Sequence, residues 1–154
     1  MFNIVLVTPQ IPGNTGTIGR ICVATNSTLH LIKPLGFNID DKSVKRAGLD
    51  YWGDLKLKVY DSLNEFLELN PINDRHFFAT TKSSKNYFEA KFKKNDFFYF
   101  GREDGGLPED LMQIKLENKI TIPMSSKTRS INLGVSVGII LYEAIKQNFT
   151  EVDL

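Results

Sequence analysis

Strand-like and helix-like stretches alternate along this chain, and the stretch near its middle has no solvent-facing side: Phe97, Phe98, Tyr99 and Phe100 are consecutive aromatics. A strand apolar on both faces must be buried on both faces, as strands are in parallel sheets with helices above and below. The rest of the chain fits that demand. Strands are expected over residues 2–7, 28–32, 56–60, 76–80, 96–100 and 119–122, and helices over 14–25, 40–47, 62–69, 108–114 and 132–148. Gly48 ends the second helix, and Asn70-Pro71 closes the third. The expected fold class is α/β, a mostly parallel sheet with helices on both faces. No repeat, linker or low-complexity tract interrupts it, and 154 residues suit a single domain, 1–154, around one core.

Composition removes several function classes. Residues 1–7 carry no basic n-region and run straight into Pro9, which describes a buried strand rather than a signal peptide. No apolar stretch approaches a membrane span, and residues 137–142 are far too few, so no membrane partner is expected. The lone Cys22 excludes an internal disulfide and suits a reducing, cytoplasmic setting. A net charge of +1 is low for a nucleic-acid coat protein. The basic residues are clustered, however: Lys82, Lys85, Lys91, Lys93 and Lys94 stand against one acid, Glu89, with further clusters at Lys42, Lys45 and Arg46 and at Lys127 and Arg129. Any one cluster reads as a solvated loop; three of them admit a polyanionic partner.

Three loops, each following an expected strand, carry the unusual residues, and ligands of open α/β sheets gather beyond the carboxyl ends of the strands. In the first, Pro12 and Gly13 break the strand and Asn14 is expected to cap the helix. Ile18, Ile21, Cys22 and Thr25 form its core stripe. Arg20 falls well away from that stripe, on the side of Gly16, where another backbone or a phosphate can approach closely. A glycine-tolerant surface helix with a solvated arginine is the alternative. The second loop, 101–108, holds Gly101, Gly105 and Gly106, and Pro108 suits a first helical position. Its bared backbone can bind the polar edges of a base or ribose, and Glu103 can hold a hydroxyl or orient a cation, although turn chemistry alone also explains the glycines. The third loop runs from Ile122-Pro123-Met124 to Asn132, a fair cap for the last helix.

That helix has two apolar faces. Leu133, Val137, Ile140, Leu141 and Ala144 make one; Val135, Ile139 and Tyr142 make another, nearly opposite. Both need cover. In so small a chain the second cover is expected from another subunit, with Gly134, Ser136 and Gly138 allowing close approach; a central helix within one monomer is the alternative. Other chemistries are not supported. The Gly-Lys-Ser/Thr ending of a phosphate-binding Walker loop and the G-x-G-x-x-G dinucleotide fingerprint are both missing. His30 and His76 sit in strand patterns with no second ligand at metal spacing and read as structural or surface residues. No Ser-His-Asp ordering stands out, and Cys22 lies on a core stripe. Tyr51 and Trp52 either stack on a base or pack.

Taken in order, the three loops resemble one family. Pro9, Ile11, Pro12, Asn14, Thr15, Gly16, Ile18 and Arg20, then Phe100, Gly101, Glu103, Gly106, Leu107 and Pro108, then Ile122, Pro123, Met124, Arg129, Ser130, Asn132, Leu133 and Val137 are similar to the three motifs of SPOUT-class RNA 2′-O-ribose methyltransferases. The linking stretches 33–37 and 45–51 resemble the single-domain subgroup, the tRNA (cytidine/uridine-2′-O)-methyltransferases that act on the wobble nucleotide. The resemblance implies a C-terminal deep trefoil knot, a homodimer, S-adenosyl-L-methionine (AdoMet) as methyl donor without a metal, and tRNA as substrate. It implies that Ala79, Thr80, Gly101, Glu103, Gly106, Ile122, Met124, Ser130, Asn132 and Leu133 bind the cofactor. Arg20 and Asn14 would handle the target ribose, with Arg129 and Tyr142 near the site. The middle motif departs from the family, which often has Pro where Arg102 stands and Arg where Gly105 stands. Two other functions stay open: methylation of another RNA, and a non-catalytic RNA-binding module that has kept the fold, which the altered motif favours.

Overall fold

The computed structural model describes residues 1–40, 42–48 and 50–154. Six parallel strands form one sheet: β1 (Asn3–Val7), β2 (Thr28–Ile32), β3 (Lys56–Tyr60), β4 (His76–Ala79), β5 (Phe97–Phe100) and β6 (Lys119–Ile120), in the order β3-β2-β1-β5-β4-β6. The helices are α1 (Pro12–Ala24), α2 (Lys42–Gly48), α3 (Leu63–Leu69), α4 (Glu109–Gln113) and α5 (Leu133–Gln147), with short 3₁₀ turns at Trp52–Asp54, Tyr87–Glu89 and Leu116–Asn118.

Side-chain alternation along each strand divides the core in two. On one face Ile4, Leu6, Leu29, Leu31, Phe98 and Phe100 pack with Ile18 and Cys22 of α1 and Val137, Ile140 and Leu141 of α5. On the other, Val5, Val7, Ile32, Phe78 and Tyr99 pack with Phe66 of α3 and Leu111 and Met112 of α4. The aromatic run therefore sends Phe98 and Phe100 to one layer and Tyr99 to the other, and β5 is covered on both faces as expected.

Some boundaries differ from expectation. α1 begins at Pro12 with Ile11 as its cap, so Asn14 lies inside the first turn and does not cap it. A proline needs no amide partner there, which lets the helix start earlier. Pro108 caps α4 instead of opening it. β6 stops at Ile120, and Thr121 continues only as a single bridge to Asn86. The second helix, expected over 40–47, is described from Lys42 to Gly48; Asp41 and Leu49 lie outside the described residues. Asn132 does cap α5, accepting from the Val135 amide at 3.2 Å. Gly16 faces α2: a Cβ there would lie 2.5 Å from Ala47 Cβ and from the Val44 carbonyl oxygen. The backbone that comes close to this glycine is the protein's own.

Both histidines are buried and hydrogen-bonded. His30 Nδ1 meets the Tyr60 hydroxyl at 3.0 Å and its Nε2 meets Asn3 Oδ1 at 3.0 Å, while His76 Nδ1 meets the Tyr99 hydroxyl at 2.7 Å. Burial, with Lys58 nearby, lowers His30 to about 4, and burial alone lowers His76 to about 4. Cys22 is fully buried and its thiol is pushed far above its usual range, so it is inert.

Candidate functional site

The strand order reverses between β1 and β5. Chain connections run outward from β1 through β2 to β3 on one side, while β4, β5 and β6 lie on the other. At such a switch point two loops diverge and leave a crevice at the carboxyl end of the sheet. Leu6 pairs with Phe100, so the loops after β1 and β5 leave the sheet side by side. A cleft of about 490 Å³ opens there, within the usual size for a small-molecule site.

Twelve of the fourteen candidate residues line it. Ala79 and Thr80 come from the end of β4, and Gly101, Glu103 and Gly106 from the loop after β5. Ile122, Met124, Arg129, Ser130, Asn132 and Leu133 come from the loop before α5, and Asn14 from the first turn of α1. Arg20 and Tyr142 are not among the lining residues. Each lies six residues past a helical residue that is, Asn14 on α1 and Ser136 on α5, about 9 Å along its helix. Both are exposed. The cleft also takes in Thr81, Lys82, Met112 and Ser136, which no motif singles out. Only the position of Lys82 just after a strand hints at this.

The second loop is built around a close approach. A Cβ on Gly101 would sit 1.9 Å from the carbonyl carbon of Gly106, and Gly106 has φ +71°. Arg102 and Gly106 form a bridge across the turn. Glu103 at its tip serves the first loop: its Oε2 accepts from the Gln10 amide at 2.8 Å, and its Oε1 accepts from the Ile11 amide at 3.1 Å and Asn14 Nδ2 at 3.4 Å. α1 has no side-chain cap of its own and no acid in its first turn. Glu103 sets a carboxylate there from the neighbouring loop, on the amides of Gln10 and Ile11 that lead into the helix, and a carboxylate is favoured by the positive end of the helix. Thr8, which follows β1, has φ 52°, a strained conformation for a β-branched residue, just before the amides that Glu103 holds. The link continues, with Asn132 Nδ2 donating to Asn14 Oδ1 at 3.1 Å. One chain of side chains thus ties together all three motifs.

The altered positions of the middle motif meet each other. Arg102 Nε and Nη2 donate to the two carboxylate oxygens of Asp104, at 2.6 and 3.1 Å. A Cβ on Gly105 would lie 3.3 Å from Arg102 Cδ, so the arginine side chain lies across the space beside residue 105. The basic clusters separate. Lys82 sits at the cleft and pairs with Glu109 at 3.2 Å. Lys91, Lys93 and Lys94 precede β5 and lie at the opposite end of the sheet, so the five lysines do not make one patch. Arg129 has no ion-pair partner among the described residues. No described helix is long and apolar enough to cross a membrane.

In chemical terms the cleft joins apolar walls (Ala79, Phe100, Ile122, Leu133) to hydroxyls, an amide and bared backbone. That mixture suits a ligand with an aromatic plane, a ribose and a charged end. Comparisons with known proteins point the same way. The SpoU rRNA methylase family model matches residues 1–142. A relative from Listeria innocua, provisionally named a tRNA (cytidine(34)-2′-O)-methyltransferase, is 48% identical over 149 residues, covering 94% of this chain and 87% of its own. The tRNA (cytidine(34)-2′-O)-methyltransferase of Methylovorus glucosotrophus is 43% identical over 150 residues, covering 96% of each. A solved structure described as giving structural insights into the 2-OH methylation of C/U34 on tRNA superposes with a TM-score of 0.92 at 40% identity, over 98% of both chains. An AdoMet-bound rRNA methyltransferase from Sinorhizobium meliloti, 22% identical, shares the fold with a TM-score of 0.84, covering 94% of this chain and 56% of its own. The chain belongs to the SpoU methylase family.

Proposed function

We propose that the protein transfers a methyl group from AdoMet to the ribose 2′-hydroxyl of the wobble nucleotide of tRNA, position 34, a cytidine or a modified uridine. The observation that carries this is the meeting of the three motif loops at one cleft, at the switch point of the sheet. Relatives named for C34 methylation supply the nucleotide. In this proposal Ala79, Thr80, Gly101, Gly106, Ile122, Met124, Ser130, Asn132 and Leu133 hold the donor, and Glu103 holds the first loop against it. When bound, AdoMet supplies a sulfonium methyl open to in-line attack, and the transfer needs alignment rather than a metal.

The remaining work falls to this chain's cations. A guanidinium does not deprotonate in proteins, so Arg20 is not the base. It binds the phosphate 3′ of the target nucleotide and stabilises the charge developing on the 2′-oxygen, while phosphate or water accepts the proton. Arg129, at the cleft and without an ion-pair partner among the described residues, is a second phosphate contact. A homodimer belongs to the same proposal: Val135 and Tyr142 on α5 are 52% and 53% exposed, an apolar face without cover in one copy. So does the trefoil knot, supported by the segments after β4, β5 and β6 all lining one cleft, and so does a cytoplasmic location, where tRNA is found.

The test is methylation of whole tRNA by purified protein with labelled AdoMet in the presence of EDTA. Label in ribose is expected. Binding of AdoMet without any transfer would favour a non-catalytic module, and activity restored by one divalent ion would refute the metal-free account.

A further inference from the structure

Arg20 is held without a carboxylate, unlike Arg102 and unlike Arg75, whose guanidinium carbon also lies over a ring, that of Phe77, at 5.2 Å. Arg75 is committed to Asp96 through Nε and Nη2, and Arg102 is committed in the same way to Asp104. Arg20 has no carboxylate partner among the described residues. Instead its guanidinium carbon lies over the ring of Tyr51, 4.9 Å from the centroid. Tyr51 follows α2, and two glycines of α1 bring it there. Gly16 lets α2 close onto α1 at Ala47. Gly19 leaves room for Trp52, whose ring would lie 3.1 Å from a Cβ at that position. The stretch around Tyr51 and Trp52 is thereby seated against α1, beside Arg20.

We propose that Tyr51 is a positioning residue for Arg20, fixing the guanidinium by its face while leaving its edge free. A carboxylate partner would neutralise the charge and use two or more of the five N–H donors. A ring beneath the plane restricts the rotamers of a long, exposed side chain and uses none of them. All five donors lie in the plane of the fork and stay available to oxygens of an RNA backbone. The Tyr51 hydroxyl has no part in this; the ring face does. The proposal rests on the role given to Arg20 above.

Kinetics and NMR on the whole protein test it. Tyr51→Leu is expected to lower kcat roughly tenfold, with KM for AdoMet unchanged. Tyr51→Phe, which keeps the ring, retains most of kcat. In an Arg20→Ala background Tyr51→Leu causes no further loss, because the two residues act as one unit. In the wild type and in Tyr51→Phe the Arg20 δ-methylene protons are shifted upfield by the ring current. That reading needs no destabilised variant, so it decides the matter even if Tyr51→Leu does not fold. The proposal is overturned by an unshifted Arg20 in the wild type, by full activity in Tyr51→Leu, or by Tyr51→Phe being as slow as Tyr51→Leu. A loss confined to KM for tRNA also overturns it, because Tyr51 would then contact the RNA and not serve Arg20. If Arg20→Ala methylates normally, the role of Arg20 itself fails, a result distinct from all of these.

Discussion

Asn14 lies on the first helix, yet its side chain belongs to all three loops. It donates to Glu103 and accepts from Asn132, which in turn caps α5. Asn14 does not cap the helix; the amides leading into α1 are held by the carboxylate of Glu103, a partner that local sequence rules cannot see. Residue types at the cleft were legible because bared glycine, hydroxyl and amide side chains in strand-following loops have few uses; their pairing was not, because it depends on β1 lying beside β5. Arg20 stands apart from this network and outside the cleft, so its removal should separate two functions. Arg20→Ala is expected to lower methyl transfer by roughly a hundredfold or more, about 3 kcal/mol, as loss of a transition-state donor typically does. AdoMet binding by calorimetry should stay near wild type. Arg20→Lys should rescue poorly, since an ammonium lacks the planar fork. Loss of AdoMet binding in Arg20→Ala would place this residue in the cofactor site or the fold.

Elements with a strong hydrophobic period were legible nearly to the residue: β2 and β3 match expectation, and α5 runs from Leu133 to Gln147 within the expected 132–148. Elements ended by long-range pairing were less so. β6 is cut to two residues because only Lys119 and Ile120 find partners on β4. At Gly16 the sequence admits either another backbone or a phosphate, and it is the backbone of α2 that comes close; a glycine in one sequence does not say which of the two approaches it. Gly16→Val should therefore destabilise the protein by about 1–3 kcal/mol, as overpacking does, measurable in urea titration; an unchanged midpoint would show that the helices can part freely. The second face of α5 carries a different expectation. Its Val135 and Tyr142 are half exposed, while Val137, Ile140 and Leu141 on the inner face are fully buried. Wild-type protein should be dimeric by light scattering, and Val135→Glu combined with Tyr142→Ala should give monomers by placing a charge on the interface. A wild-type monomer with full activity would contradict this.

The half of the core built around Phe66 and Tyr99 answers to pH through both buried histidines. Both are held at about 4 in the folded chain, against about 6.5 when unfolded. Between those values the unfolded chain binds protons that the folded chain does not. Stability is therefore fully present above about pH 6.5 and falls as the pH drops toward about 4. Melting temperatures should be flat near neutrality and decline on acidification over that window; a rise would contradict the buried, neutral placement. The molecule as a whole is claimed to methylate one oxygen of one nucleotide. The direct measurement is to incubate purified protein with methyl-labelled AdoMet and total tRNA from a strain lacking it, then map the label by alkali resistance and mass spectrometry of nuclease fragments. The expected result is label on the ribose 2′-oxygen at position 34, absent with Arg20→Ala; label on a base, or on the ribose of another nucleotide, would contradict it.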